Sequence, residues 1–96
     1  DGPWLHRLTN GELLMLWSSF ANGNYTIGAA HSASGQILGP WAQLAEPVYS
    51  GDGGHCMVFR EFAGQLKLAY HRPNLHPGER PYFVDVQERG SSLVMV

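Results

Sequence analysis

The stretch Gly51-Asp52-Gly53-Gly54-His55-Cys56-Met57 lies at the middle of the sequence, between two halves of similar pattern. Three glycines in four positions allow the backbone to take positive φ or to approach another group closely. An acid and an imidazole lie in this loop, and the apolar run Met57-Val58-Phe59 that follows predicts a buried strand. The composition suits a functional loop, but a turn that merely carries a histidine would have the same sequence.

Short apolar segments alternate with turn signals before this loop. Strands are predicted over residues 4–8, 13–20, 25–32 and 41–44. Between the first two lies Asn10-Gly11, the strongest short signal for a β-hairpin. The unbroken apolar run of the second segment is too short for a helix and directly follows a hairpin turn, so we expect a strand there as well.

The second half repeats this order, with strands predicted over residues 56–62, 65–71, 82–86 and 93–96 and a proline-rich loop over residues 72–81. Placing Gly11 on Gly64, an offset of 53 residues (64 minus 11), sets Leu13 on Leu66. At the same offset Met15 falls on Leu68 and Trp17 on Tyr70. Four-stranded repeats of about 40–50 residues are typical of β-propeller blades. The sequence therefore predicts an all-β fold of two four-stranded antiparallel sheets, one blade over about residues 1–46 and the other over about residues 47–96.

Composition limits the classes of partner. Charged residues make up only 15% of the 96 residues, against about 25% in an average domain. The net charge of −2 and the lack of a basic patch argue against nucleic acid, and no apolar run approaches the ~20 residues of a membrane span. Two blades do not close a propeller, which typically has about 4–8. We therefore expect a homo-oligomer that completes a ring-like core; the alternative is a small sandwich of two sheets.

Several segments carry a resemblance to a known family. They are Asp1-Gly2-Pro3-Trp4-Leu5, residues 10–19 (NGELLMLWSS), residues 32–41 (SASGQILGPW), Asp52-Gly53-Gly54-His55 and His71-Arg72-Pro73-Asn74. Together they resemble the C-terminal blades of the family 43 glycoside hydrolases, five-bladed β-propeller enzymes that act on arabinose- and xylose-containing polysaccharides. The resemblance covers nearly the whole chain, which corresponds to the C-terminal third of the full enzyme.

The resemblance implies carboxylate chemistry of the inverting type, with one general acid and one base across the sugar. The family acid is a Glu before Gly-Pro, and Asp1, one methylene shorter, holds that position here. In the family, the segments with the base and the modulating carboxylate precede this point, so Asp52 or a carboxylate of another copy is the candidate second group. His55 matches the family's central histidine, which implies a calcium ion nearby, while the chemistry itself requires no cofactor.

Aromatic and polar residues near these segments are candidate sugar contacts, because aromatic faces stack on sugar rings. We predict substrate-binding roles for Trp4, Phe20, His71 and Asn74, and we place Trp17 and Trp41 in the core. Cys56 is interpreted as a small buried hydrophobe, since no Cys–His–Asn pattern supports a nucleophile. For each candidate a structural role stays open, such as a solvated chain end for Asp1.

The first hypothesis is a glycoside hydrolase that acts on arabinose- or xylose-containing saccharides. The second is a non-catalytic carbohydrate-binding or structural propeller fragment, and the third is a plain two-sheet domain without a ligand. They differ in the number of carboxylates that converge on one site, and the sequence contains only eight acidic residues in all.

Overall fold

Tight turns and alternating apolar residues give this chain eight strands and no helix. The computed structural model describes all 96 residues. The strands are β1 (Trp4–Arg7), β2 (Leu13–Ala21), β3 (Asn24–Ser32), β4 (Trp41–Gln43), β5 (Gly54–Arg60), β6 (Leu66–Arg72), β7 (Arg80–Arg89) and β8 (Ser92–Met95). No helix capable of crossing a membrane is present.

The strands form two four-stranded sheets in which each strand pairs with the next along the chain. The first sheet has the order β1-β2-β3-β4, the second has the order β5-β6-β7-β8, and all pairs are antiparallel. The predicted fold class is therefore confirmed. The division into blades near residue 46 stays a prediction.

Strand β7 begins earlier than the sequence suggested, at Arg80, and includes Pro81. This part of β7 pairs only with β6, since β8 pairs with β7 from Val86 onward. Proline has no N–H to donate to a neighbouring strand. It is tolerated in this part of β7 because only one side of the strand is paired.

The core lies between the facing surfaces of the two sheets. Residues at alternate positions of the central strands point into it, including Leu14 and Leu16 of β2, Ile27 of β3 and Leu68 of β6. All four are fully buried. Trp4 is partly buried and packs against this core.

The prediction that Trp17 and Trp41 belong to the core is wrong. Both are only half-buried, and their indole N–H groups donate to Gln43 Oε1 and to the Ile37 carbonyl, respectively. Trp17 directly follows Leu16, and successive side chains of a strand point to opposite faces. Trp17 therefore lies on the surface of the first sheet that faces away from the second.

Carboxylates join the two sheets at the end where β1 turns into β2. Glu88 Oε1 accepts hydrogen bonds from the Thr9 N–H and hydroxyl, both at 2.9 Å, and Oε2 lies 3.3 Å from His6 Nε2. Burial acts to raise the pKa of Glu88, but the hydrogen bonds from Thr9 and His6 outweigh it and lower the pKa below its usual value. At the same end, hydrogen bonds to His31 and then to Ser91 lower the pKa of Glu12.

We predict that Glu88→Gln destabilises the protein by about 1–3 kcal/mol at neutral pH, because it weakens charge-assisted hydrogen bonds. A carboxyl with a lowered folded pKa adds stability above its unfolded pKa, which is near 4.5, and loses it as the pH falls through the folded value. The difference between wild type and variant should therefore shrink toward pH 3. Urea unfolding at several pH values measures it.

The control for this experiment is Glu46→Gln, at an exposed carboxylate. It should unfold like the wild type across the whole pH range. A destabilisation by Glu88→Gln that is the same at neutral and acid pH would contradict the assigned role of the carboxylate.

Candidate functional site

Tyr25, at the start of β3, is the residue around which the candidate site is built. It is 5% exposed, and all of its polar groups are used. Its N–H donates to Asp52 Oδ1 at 3.1 Å, and its carbonyl accepts from the Gly53 N–H at 3.0 Å. Its hydroxyl donates to Asp1 Oδ2 at 2.6 Å. The side chain and backbone of Tyr25 thus connect Asp1, in the segment before β1, with the loop before β5.

The glycine-rich loop is held in an uncommon backbone conformation. Asp52 and His55 have φ of 65° and 53°, a region in which aspartate, asparagine and histidine are enriched among non-glycine residues. The second Asp52 oxygen, Oδ2, accepts from the Asn74 N–H at 3.3 Å. Because both oxygens accept backbone N–H groups, Asp52 fixes the loop against two other parts of the chain.

Close packing explains one glycine of this loop. A Cβ on Gly54 would lie 2.7 Å from both Ser18 Oγ and Tyr25 Cε2, well inside van der Waals contact. Ser18 is fully buried, and its Oγ accepts from the His55 N–H at 2.8 Å. The ladder between β5 and β6 is irregular between Gly54 and Met57, which is where the chain leaves the loop.

Asp1 and His55 form the exposed part of the site. His55 Nδ1 lies 3.8 Å from Asp1 Oδ2, and the two side chains are 61% and 63% exposed. The His55 ring lies directly over Gly2, where an added Cβ would be only 2.9 Å from the ring. The carboxylate is therefore anchored from below by the Tyr25 hydroxyl and remains open to a ligand.

Three rings lie in a row beside this carboxylate. The Tyr25 ring is 5.2 Å from Phe20 and 5.6 Å from His71, measured between centroids. Phe20 is 65% exposed, and His71 Nε2 is hydrogen-bonded to Asn74 Oδ1 at 2.7 Å. The row offers an apolar face next to polar groups, the combination that suits a sugar ring and its hydroxyls.

The structure brings most of the candidate residues from the sequence together around Tyr25. These residues are Asp1, Phe20, Asp52, His55, His71 and Asn74. Trp4 is partly buried and packs against the core. The catalytic and binding roles of these residues stay predictions.

Sequence reasoning missed Tyr25 and Ser18. The sequence did contain a signal for Ser18, which follows Leu14 and Leu16 at alternate positions of β2. Its hydroxyl must therefore point into the core, where a polar group needs a hydrogen-bond partner. Tyr25 likewise alternates with buried Ile27 and Ala29 of β3, but its three partners are distant in sequence and could not be inferred.

The residues of this chain do not by themselves fit a calcium ion at His55. Calcium takes six to eight oxygen ligands, whereas the only carboxylate beside His55 is that of Asp1. No group of three or more His, Cys, Asp or Glu side chains could hold a metal ion. The calcium expected from the sequence stays a prediction that requires ligands from outside this chain.

Cys56 is buried and unreactive as a nucleophile. It is 4% exposed, and burial raises the pKa of its thiol to about 11. A thiol is a nucleophile only as thiolate, so this side chain serves as a small apolar group of the core, as predicted.

Solved structures similar to this chain agree with the resemblance expected from the sequence. An endo-arabinase from Bacteroides thetaiotaomicron is 47% identical over 93% of this chain, with a TM-score of 0.88. A thermostable family-43 glycoside hydrolase is 24% identical over 99% (TM-score 0.78), and an endo-1,4-β-xylanase from Bacteroides thetaiotaomicron is 23% identical over 100% (TM-score 0.81). These last two likenesses show the fold alone. No family model matches the sequence, and no curated protein matches it.

This chain spans about a third of the length of these structures, namely 32%, 34% and 37%. The likeness thus concerns two sheets of a longer enzyme. The predicted resemblance to the family is confirmed.

We predict that Gly54→Ala destabilises the protein by about 1–3 kcal/mol, because the added methyl group overpacks the contact among Ser18, Tyr25 and the loop. Gly28→Ala is the matched control, since its Cβ would make ordinary contacts at 3.5 Å and beyond. Thermal and urea unfolding of both variants measures the difference. Equal stabilities of the two variants would contradict the tight packing at Gly54.

Proposed function

We propose that this chain, whose fold is that of the family 43 glycoside hydrolases, takes part in hydrolysis of glycosidic bonds in arabinose- or xylose-containing saccharides. The observation that carries the proposal is the exposed Asp1 carboxylate, anchored by the buried Tyr25 hydroxyl beside a row of rings. The similar structure that is 47% identical to this chain is an endo-arabinase, which supports an arabinose-containing substrate.

In this proposal Asp1 is the general acid. Its Oδ2 is fixed by Tyr25, which leaves Oδ1 to carry the proton to the leaving oxygen. An inverting reaction also requires a carboxylate that activates water on the opposite face of the sugar, about 6.5–9.5 Å from the acid. Both Asp52 oxygens accept backbone N–H groups, so this carboxylate is poorly placed to act as that base.

The sugar would lie against the row of rings. Exposed Phe20 offers a face for stacking, while His71 and Asn74 offer hydrogen-bonding groups to the hydroxyls. A shallow cleft of about 280 Å³ adjoins them on the second sheet, lined in part by His55, His71 and Phe83.

The alternative function is saccharide binding without catalysis. It is favoured by one observation: the cluster around Tyr25 contains a single carboxylate with an oxygen free of protein partners. In that case the rings and the His71–Asn74 pair would bind the sugar, and Asp1 would serve only as a hydrogen-bond acceptor.

With a second carboxylate supplied from outside these 96 residues, we predict that Asp1→Asn lowers the kcat for hydrolysis of aryl arabinosides or xylosides by about 10²–10⁴, the usual contribution of a general acid. The loss should be largest for substrates with poor leaving groups, because these depend most on protonation. A panel of aryl glycosides with graded leaving groups measures both effects.

Glu46→Gln is the control, at an exposed carboxylate outside the cluster. Full activity of Asp1→Asn would exclude Asp1 as the acid. If no glycoside is hydrolysed but arabinan or xylan oligosaccharides bind and Phe20→Ala weakens the binding, the non-catalytic alternative is correct.

A further inference from the structure

Two Asn-Gly pairs lie in the hairpin turns of the first sheet. Asn10-Gly11 is in the turn between β1 and β2, and Asn22-Gly23 is in the turn between β2 and β3. Asparagine is a thermolabile residue, and glycine after it leaves the main-chain nitrogen open to attack the asparagine side chain, because glycine has no side chain to shield that nitrogen. The chain therefore carries the same reactive dipeptide in two different surroundings.

In the first turn, hydrogen bonds hold both reacting groups. The side-chain oxygen of Asn10, Oδ1, accepts from the Glu12 N–H at 2.9 Å, and the Gly11 N–H donates to the Leu8 carbonyl at 3.0 Å. The turn is held again from β1, because Arg7 Nη1 donates to the Gly11 carbonyl at 3.0 Å. Cyclisation at Asn10 has to break the first two of these bonds.

The second turn leaves both groups free. Asn22 is exposed and its side-chain amide forms no hydrogen bond, and the Gly23 N–H forms none either. The two residues have φ of 53° and 82°, the positive values that a two-residue hairpin loop requires. A Cβ on Gly23 would meet nothing within 4 Å, so the space beside this glycine is empty. No hydrogen bond of either group has to be broken before the two meet.

We propose that Asn22 is a site of spontaneous deamidation, and that the first turn protects Asn10 from the same reaction. The Gly23 nitrogen attacks Asn22 Cγ and forms a new C–N bond. The bond from Cγ to the side-chain nitrogen breaks, and ammonia leaves with the proton of the Gly23 N–H. All reacting atoms lie in one loop, so the reaction does not depend on any sheet outside these 96 residues.

The product of this step is a five-membered succinimide, which water opens at one of its two carbonyls. Opening at one carbonyl gives aspartate. Opening at the other gives isoaspartate, in which the main chain runs through the former side chain. Aspartate is among the residues that adopt positive φ, so the first product fits the turn, whereas the second lengthens the main chain of a two-residue loop.

This loop joins the strands that carry two rings of the candidate site. Ala21 pairs with Asn24 next to the loop, and Phe20 pairs with Tyr25 beyond them. The length of a hairpin loop fixes the register of its strands. Isoaspartate at this position should therefore loosen the end of the hairpin where the Phe20 and Tyr25 rings lie 5.2 Å apart.

The test compares the two asparagines in one sample. The chain is incubated at mildly alkaline pH, with and without urea, and a protease that cleaves after Glu12 then places Asn10 and Asn22 on different peptides for mass spectrometry. In the folded chain, Asn22 should deamidate roughly 10–100-fold faster than Asn10, the factor expected when two hydrogen bonds hold one site and not the other. In urea the two rates should converge. Equal rates in the folded chain would overturn the proposal, and so would a rate at Asn22 that is much lower in the folded chain than in urea.

Gly23→Ala and Gly11→Ala are a matched pair of variants. Both glycines have positive φ and open space around them, so the two changes strain their turns alike. Gly23→Ala should slow the reaction at Asn22, because the methyl group shields the attacking nitrogen, and Gly11→Ala should leave that rate unchanged. Circular dichroism checks that both variants are folded. An unchanged rate at Asn22 in Gly23→Ala would exclude attack by the Gly23 nitrogen.

The consequence for the site rests on the proposed function and is measured separately. Binding of arabinan or xylan oligosaccharides is compared between fresh and incubated chain, with Asn22→Asp as the control that carries the new charge without the longer main chain. The isoaspartate form should bind more weakly, and Asn22→Asp should bind like the wild type. If the fresh chain binds no saccharide, the proposed function fails while the modification seen by mass spectrometry stands. Equal binding by the isoaspartate form would refute the effect on Phe20.

Discussion

The hydrogen bonds of one buried tyrosine connect the parts of this molecule on which its candidate site depends. Tyr25 uses its hydroxyl, N–H and carbonyl to bind Asp1, Asp52 and Gly53, which come from segments far apart in sequence. Buried polar groups are costly unless they are paired, so these bonds constrain the loop and the residue before β1 together. Loss of any one of them would leave a polar group in the core contact between the sheets.

The two ends of the sheets serve different purposes. At one end, Glu88 joins the sheets by accepting hydrogen bonds from Thr9 of the opposite sheet, Glu12 pairs with His31 of its own sheet, and both carboxylates have lowered pKa values. At the other end, Asp1 and His55 are largely exposed and have few partners. The carboxylates that stabilise the fold thus lie at the opposite end from the groups that are open to a ligand. Substitutions at the exposed end can therefore leave the hydrogen bonds of Glu12 and Glu88 intact.

The strands and their order could be predicted because they depend on local signals, namely alternation of apolar residues and tight turns. Trp17 was predicted in the core because large aromatic side chains are usually buried. Successive side chains of a strand point to opposite faces, so Trp17 points outward once Leu14 and Leu16 point inward. Phe20, His71 and Asn74 come together near Asp1 around Tyr25, a common neighbour that did not follow from the sequence. Contacts that span half the chain have no short-range pattern from which to infer them.

The positive φ values at Asp52 and His55 restrict how this loop can vary during evolution. Most side chains are strained in that conformation, whereas glycine, asparagine, aspartate and histidine adopt it readily. The residues that the backbone tolerates are therefore polar or lack a side chain, and bulky apolar substitutions are disfavoured by conformation before any ligand acts on them. The backbone conformation of this loop therefore keeps its surface hydrophilic. Substitutions at positions 52 and 55 can change which polar group faces solvent, but they rarely introduce an apolar one.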